Sequence, residues 1–187
     1  LILYIHGFGG NGLGSKARVF REFFQSRKIP YFAPSLSYIP ELAVSTLEEA
    51  IETFLVYDDV HLIGSSLGGY YALYLAKKYN LKATLINPAI YPYITLKDKE
   101  PISFFDGTKY EWTQSHIEKL KAYEIDDASS LSIMLLTQKG DELLDYKEGV
   151  DKLQNAKVII EEGGSHSFDG VERRFGDICD FFGINLC

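Results

Sequence analysis

The run Val60-His61-Leu62-Ile63-Gly64-Ser65-Ser66-Leu67-Gly68-Gly69, leading straight into Tyr70-Tyr71-Ala72-Leu73-Tyr74-Leu75-Ala76, decides how this chain folds. A short apolar stretch of strand character meets Gly-X-Ser-X-Gly and then helical periodicity. The joint has a mechanical reason: its serine occupies a sharp, strained turn, and glycines two before and two after it keep neighbouring backbone from colliding. Ser66 is therefore expected to stand exposed above a sheet, with the next helix aiming its N-terminus at it. The Leu67 backbone N–H at that N-terminus can donate to a developing oxyanion. Ser65 is the poorer nucleophile, because the glycines centre on Ser66. A glycine-rich turn that merely joins strand to helix fits the same pattern, so the elements around it must decide.

Outward from this joint, short β-rich runs alternate with longer segments of helical spacing. The strand runs are Leu1 to Ile5, Ile29 to Ala33, Val60 to Ile63, Ala83 to Ile86, Leu131 to Thr137 and Lys157 to Ile160. Helices are expected over Lys16 to Arg27, Val44 to Val56, Leu67 to Tyr79, Tyr146 to Gln154 and Asp169 to Phe182. Alternation of this kind predicts an α/β fold in three layers, a mainly parallel sheet of about six strands with helices on both faces. One interval breaks the rhythm. Residues 90–128 are far longer than the usual connection of about 2–6 residues, and they hold Tyr91, Tyr93, Phe104, Phe105, Tyr110 and Trp112 with a short helix from Gln114 to Tyr123. A cap-like insertion is one reading; an aromatic edge that only packs on the core is the other.

The bulk numbers limit the alternatives. A chain of 187 residues, 46% hydrophobic and 14% aromatic, has material for a single buried core and is expected to form one domain. Its 26 acidic and 19 basic residues give a net charge of -7 without a long like-charged run, so nucleic acid and anionic membranes are not expected partners. Two cysteines, Cys179 and Cys187, are too few for a disulfide scaffold and suit a reducing compartment, with the cytoplasm expected. No apolar run approaches the roughly 20 residues that span a bilayer, and no basic segment precedes an apolar one at the start.

A serine hydroxyl is inert at neutral pH unless a base takes its proton, and imidazole suits that task. His61 lies inside a strand and is expected to face the core or a helix, and His116 sits in the inserted helix as an ordinary polar position. His6, in His6-Gly7-Phe8-Gly9-Gly10 after the first strand, is expected to shape an oxyanion loop. His166 follows the last strand in Glu161-Glu162-Gly163-Gly164-Ser165-His166-Ser167, where it can reach back over the sheet edge. A carboxylate after the preceding strand should hold its tautomer. Asp141 fits, whereas Glu142 is expected to point elsewhere and Asp145 to cap the next helix. The order Ser66, Asp141, His166, each after a successive strand, is that of α/β hydrolases. All three, with the Gly7–Gly10 loop, fall at the carboxyl ends of parallel strands. The Phe8 backbone N–H is the expected second oxyanion donor beside Leu67.

These residues resemble the small bacterial YqiA-like esterases of the α/β-hydrolase superfamily. The resemblance runs through Tyr4–Gly10, Gly64–Ala72, Leu85-Ile86-Asn87-Pro88-Ala89, Gly140–Tyr146 and Glu161–Phe168. It implies hydrolysis of carboxylic esters, extending to acyl thioesters, without metal or organic cofactor, with Ser66, Asp141 and His166 at the matching triad positions. The first two strands of larger relatives are not expected, so the sheet should have six strands. One departure stands before the histidine, where the family usually has an acidic residue and this chain has Ser165.

Two other classes match parts of the sequence. Gly7-Phe8-Gly9-Gly10-Asn11-Gly12 satisfies Gly-X-Gly-X-X-Gly, but Phe32-Ala33-Pro34-Ser35-Leu36 lacks the acid that a dinucleotide ribose needs. Gly14-Ser15-Lys16 reverses the lysine and hydroxyl of a phosphate loop. A non-catalytic module on the same fold is the second, since fold does not guarantee chemistry. Among hydrolases, the short chain leaves little room for a large lid, so small soluble acyl esters are preferred to lipid surfaces.

Overall fold

Strands buried on both faces of a parallel sheet carry near-continuous apolar runs, and four of the six here are fully buried along their length or nearly so. The computed structural model describes residues 1–185. Strands β1 (Ile2–Ile5), β2 (Tyr31–Phe32), β3 (His61–Ser65), β4 (Ala83–Ile86), β5 (Ile133–Gln138) and β6 (Lys157–Glu161) form one sheet in the order β2-β1-β3-β4-β5-β6. Every neighbouring pair is parallel. The expected fold class is thus borne out.

Successive strand residues face opposite sides, and the two cores follow that alternation. Leu3, Ile5, Leu62 and Leu85 pack with α2 (Pro40–Phe54) and α3 (Leu67–Tyr79). Ile2, Tyr4, Ile63 and Ile86 face α1 (Ser15–Ser26) and the C-terminal helix through Phe20, Phe24, Phe175 and Ile178. Each such Leu, Ile or Phe contributes about 1.5–3 kcal/mol on burial. No helix among the described residues is long and apolar enough to cross a membrane.

Several boundaries differ from expectation for local reasons. Helix α2 starts at Pro40, four residues before Val44, because a proline in the first turn loses no hydrogen bond and presets the helical φ. Strand β2 keeps only Tyr31 and Phe32, since Pro30 precedes it and, among the described residues, β1 is its one neighbour. The helix expected over Asp169 to Phe182 divides: Gly170 at φ 67° leads into a 3₁₀ turn over Val171–Arg174, and only Phe175–Phe182 is α-helical. The helix after β5, Tyr146–Lys152, ends two residues before Gln154 and carries the expected Asp145 cap, whose side chain accepts from the Lys147 N–H. Cys179 is buried, and Cys187 lies outside the described residues.

The interval 90–128 contains α4 (Pro92–Thr95), an antiparallel bridge between Ile102 and Lys109, α5 (Gln114–Leu120) and a 3₁₀ turn at Lys121–Tyr123. Its base is anchored: Tyr70 Oη donates to Leu120 O at 2.7 Å and Trp112 Nε1 to Leu96 O at 3.1 Å. Its tip, with Phe104 and Phe105 exposed, reaches the loop after β1, where the Phe104 N–H donates to Gly9 O at 2.8 Å.

The chain runs from β1 to β2 on one side and then crosses to β3 on the other side of β1, so the topological switch point lies between β1 and β3, which pair Ile5 with Gly64. The joint after β3 is packed too closely for side chains at its glycines. A Cβ on Gly64 would sit 2.3 Å from Gly68 O, and one on Gly68 would sit 2.1 Å from Ile5 O. Both obstacles are backbone. Gly68→Ala is therefore expected to destabilise the fold by about 3 kcal/mol, read as a lowered urea midpoint at unchanged slope.

Candidate active site

Ser66 sits between β3 and α3 at φ 56°, ψ -123°, a conformation that costs energy for any residue with a side chain and is kept only where its surroundings enforce it. Here they do: the Ser66 N–H donates to Ile86 O on β4, and Ser66 O accepts from Gly69 and Ala89. The side chain is thereby held at the sheet's carboxyl edge.

His166 Nε2 lies 3.0 Å from Ser66 Oγ, and its Nδ1 lies 2.9 and 3.0 Å from the two oxygens of Asp141. The Asp141 side chain is only 2% exposed, the His166 ring 20%. Burial pushes the Asp141 carboxyl up, but the His166 hydrogen bond, the Leu143 and Leu144 N–H groups and the His166 charge together hold it below the usual aspartate range. An ionised carboxylate only accepts, so Nδ1 carries the proton and Nε2 is left free to accept from the serine hydroxyl.

Ser66, Asp141 and His166 are therefore brought together as one hydrogen-bonded chain. The backbone N–H groups of Phe8 and Leu67 have no protein acceptor among the described residues. Beside them opens a cavity of about 970 Å³ that Ser66, His166, Phe8 and Phe104 help to line. A smaller one of about 330 Å³, bounded by Leu36, Tyr38, Leu67, Tyr71 and Tyr110, lies across Phe8. The Phe8 ring is fixed edge-on against Tyr110 and Trp112, with centroids 5.6 and 4.8 Å away.

The remaining histidines have other work. His6 Nδ1 donates to Gly7 O at 2.9 Å while its Nε2 accepts from the Leu36 N–H at 2.9 Å. Burial lowers its pKa, and the neutral ring ties the Gly7–Gly10 loop to the segment after β2. His61 stacks on Phe182 with centroids 4.7 Å apart, at the opposite end of β3. His116 is not an ordinary polar position: its Nδ1 accepts from the Thr113 N–H in a capping box for α5, and the ring stacks on Trp112.

Four residues without an assigned role shape the site. Glu142 does not point away from it; its Oε2 accepts from the His166 N–H at 2.9 Å, because the turn that Asp141 caps folds back beneath the histidine loop. Asn87, 2% exposed, donates through Nδ2 to Ser165 O and His166 O and accepts through Oδ1 from the Gln138 N–H. Gln138, 1% exposed, accepts through Oε1 from the Ser165 and Asp169 N–H groups. Ser165 itself donates to Asp169 Oδ1 at 2.7 Å, so the loop is bonded despite the missing acid. The fourth is Lys16, whose Nζ donates to Ser65 Oγ at 2.6 Å. A polar residue closing an apolar strand, as at Asn87 and Gln138, was the available signal; Lys16 gave none. No cluster of three or more His, Cys, Asp or Glu placed to hold a metal ion occurs among the described residues.

Solved structures share the fold. A chain from Agrobacterium vitis S4 is 15% identical over 97% of this chain and 87% of its own, with a TM-score of 0.77. Alpha/beta hydrolase domain-containing protein 10 from mouse is 18% identical, covering 96% and 86%, with a TM-score of 0.72. Est1E from Butyrivibrio proteoclasticus with bound ferulic acid is 16% identical over the same shares, at 0.73. The sheet order, the strained turn at Ser66 and these likenesses give an α/β-hydrolase fold. A family profile matches residues 1–183, and the chain belongs to that family, UPF0227, described as an uncharacterised protein family and bearing out the YqiA-like resemblance.

Proposed function

We propose that this protein is a serine hydrolase that cleaves carboxylic esters, short acyl esters foremost and acyl thioesters by the same chemistry, through an acyl-enzyme intermediate. The observation that carries this reading is the chain from Ser66 Oγ through both ring nitrogens of His166 to Asp141, beside two backbone N–H groups without a protein acceptor.

His166 Nε2 takes the Ser66 proton as Oγ bonds to the substrate carbonyl carbon, and the carbonyl electrons move onto oxygen. The Phe8 and Leu67 N–H groups stabilise that oxyanion, with α3 adding the positive end of its dipole. The tetrahedral species collapses, breaking the bond to the leaving alcohol or thiol, which leaves with the proton from His166. Water then enters, gives its proton to Nε2 and releases the acid, and Ser66 recovers its proton. Asp141 orients the ring and stabilises it while charged. The segment 90–128 acts as a short cap whose Phe104 and Phe105 border the acyl entrance, and Est1E, structurally similar and seen with ferulic acid, makes an acyl ester a reasonable occupant.

Labelling with a fluorophosphonate probe, followed by peptide mapping, tests the reading. Modification at Ser66, absent from Ser66→Ala, is expected. A folded protein that takes no label, or takes it at another serine, would overturn it.

A further inference from the structure

The reaction just described leaves Lys16 unused, although it stands in the same cavity as Ser66 and His166. It lies in the first turn of α1, partly buried, and among the described residues Ser65 Oγ is its one hydrogen-bond partner. An ammonium has three donors, so two remain. Among the described residues no carboxylate lies within ion-pair distance of it. A cation withdrawn from water without a counter-ion is unfavourable unless something else supplies the negative charge. Burial draws its pKa down to about 8, against the attraction of the more distant Asp141, so it remains mostly charged at neutral pH.

The surroundings add to the same sign. Arg18, itself exposed, also lines the cavity, the first turn of α1 has no acid, and Gly14 brings no capping side chain. The acids that line the cavity, Asp169 and Glu172, are exposed, and Asp169 is engaged by Ser165. Consecutive Cα atoms stand ~3.8 Å apart, so an ammonium seated on Ser65 Oγ lies within roughly 9 Å of the Ser66 Cα. A short acyl chain spans that distance.

We infer that Lys16 is a specificity-determining residue whose ammonium receives a carboxylate at the far end of the acyl chain, so that the preferred substrates are half-esters of short dicarboxylic acids. The inference rests on the proposed function and names the substrate class of that site.

The test compares 4-nitrophenyl hydrogen adipate with 4-nitrophenyl hexanoate, equal in chain length and differing by the terminal carboxylate. The wild-type ratio of kcat/KM is expected to favour the adipate by about 10- to 100-fold, the range for a hydrogen bond to a charged group. Lys16→Gln, which can still donate to Ser65 but carries no charge, should bring the ratio close to one, and Lys16→Arg should restore most of it. A wild-type ratio of one or below, with the hexanoate turned over and Ser66 labelled, overturns the inference and leaves the hydrolase reading standing. So does a high ratio that Lys16→Gln leaves unchanged. Should Lys16→Gln fail to fold, a wild-type ratio of one or below still overturns the inference, and a high ratio that Lys16→Met abolishes supports it. Inertness toward both esters together with absent Ser66 labelling removes the hydrolase reading and this inference with it.

Discussion

His166→Ala is expected to lower kcat for a 4-nitrophenyl ester by about 10⁶-fold, the loss that follows when one member of a unit acting in concert is removed. Without the ring, the Ser66 hydroxyl has nothing within reach to accept its proton. The other histidine that lines the cavity, His6, has both nitrogens committed, one to Gly7 O and the other to the Leu36 N–H. The fold should survive, because the bonds that hold this loop run to the His166 backbone: its N–H to Glu142 and its carbonyl to Asn87. Steady-state hydrolysis and a thermal melt, read on the same preparation, separate the two effects. A loss smaller than about a hundredfold would mean that another group serves as base.

Asp141→Asn should cost about 10⁴-fold in kcat while leaving the geometry close to intact. The amide can donate to Nδ1, which drives the proton onto Nε2 and leaves no lone pair facing Ser66. The same substitution has a stability consequence whose sign follows from the carboxyl being held below its ordinary range. A depressed folded pKa stabilises the protein above the unfolded value and loses that contribution as pH falls through the folded value. The urea midpoint of the wild type should therefore exceed that of Asp141→Asn at pH 7, and the gap should close below about pH 4, where an unperturbed aspartate takes up its proton. A gap that persists unchanged at pH 2.5 would assign the difference to packing.

Much of this arrangement was legible in the residues because each decisive position is dictated locally. Gly64 and Gly68 flank Ser66 for a steric reason that five consecutive residues suffice to state, and the alternation of strands and helices put Ser66, Asp141 and His166 at the same edge. What escaped has a common cause. Asn87, Gln138 and Glu142 act on the His166 loop from 24 to 79 residues away in sequence, through hydrogen bonds that no local pattern encodes. Lys16 reads as a surface position of an amphipathic helix, and only the docking of α1 against β1 and β3 turns its ammonium inward. His116 likewise gains its capping role from Thr113 and its stacking from Trp112, neither implied by helical spacing. Boundaries slipped where backbone chemistry prevailed over side-chain periodicity, at Pro40 and at Gly170.

The edge position of β6 ties turnover to the order in which the sheet is completed. The turn at Ser66 depends on β1, β3 and β4, whereas the partner of Ser66 lies 100 residues on, in a loop carried by a strand that among the described residues pairs with β5 alone. A species with the central strands zipped and β6 undocked would be compact, would hold its serine in the strained turn, and would be silent toward esters. Partial opening at one rim of the sheet costs less free energy than global unfolding. On warming, hydrolysis should therefore fade before the helical signal does, and during refolding the return of activity marks the arrival of the final strand.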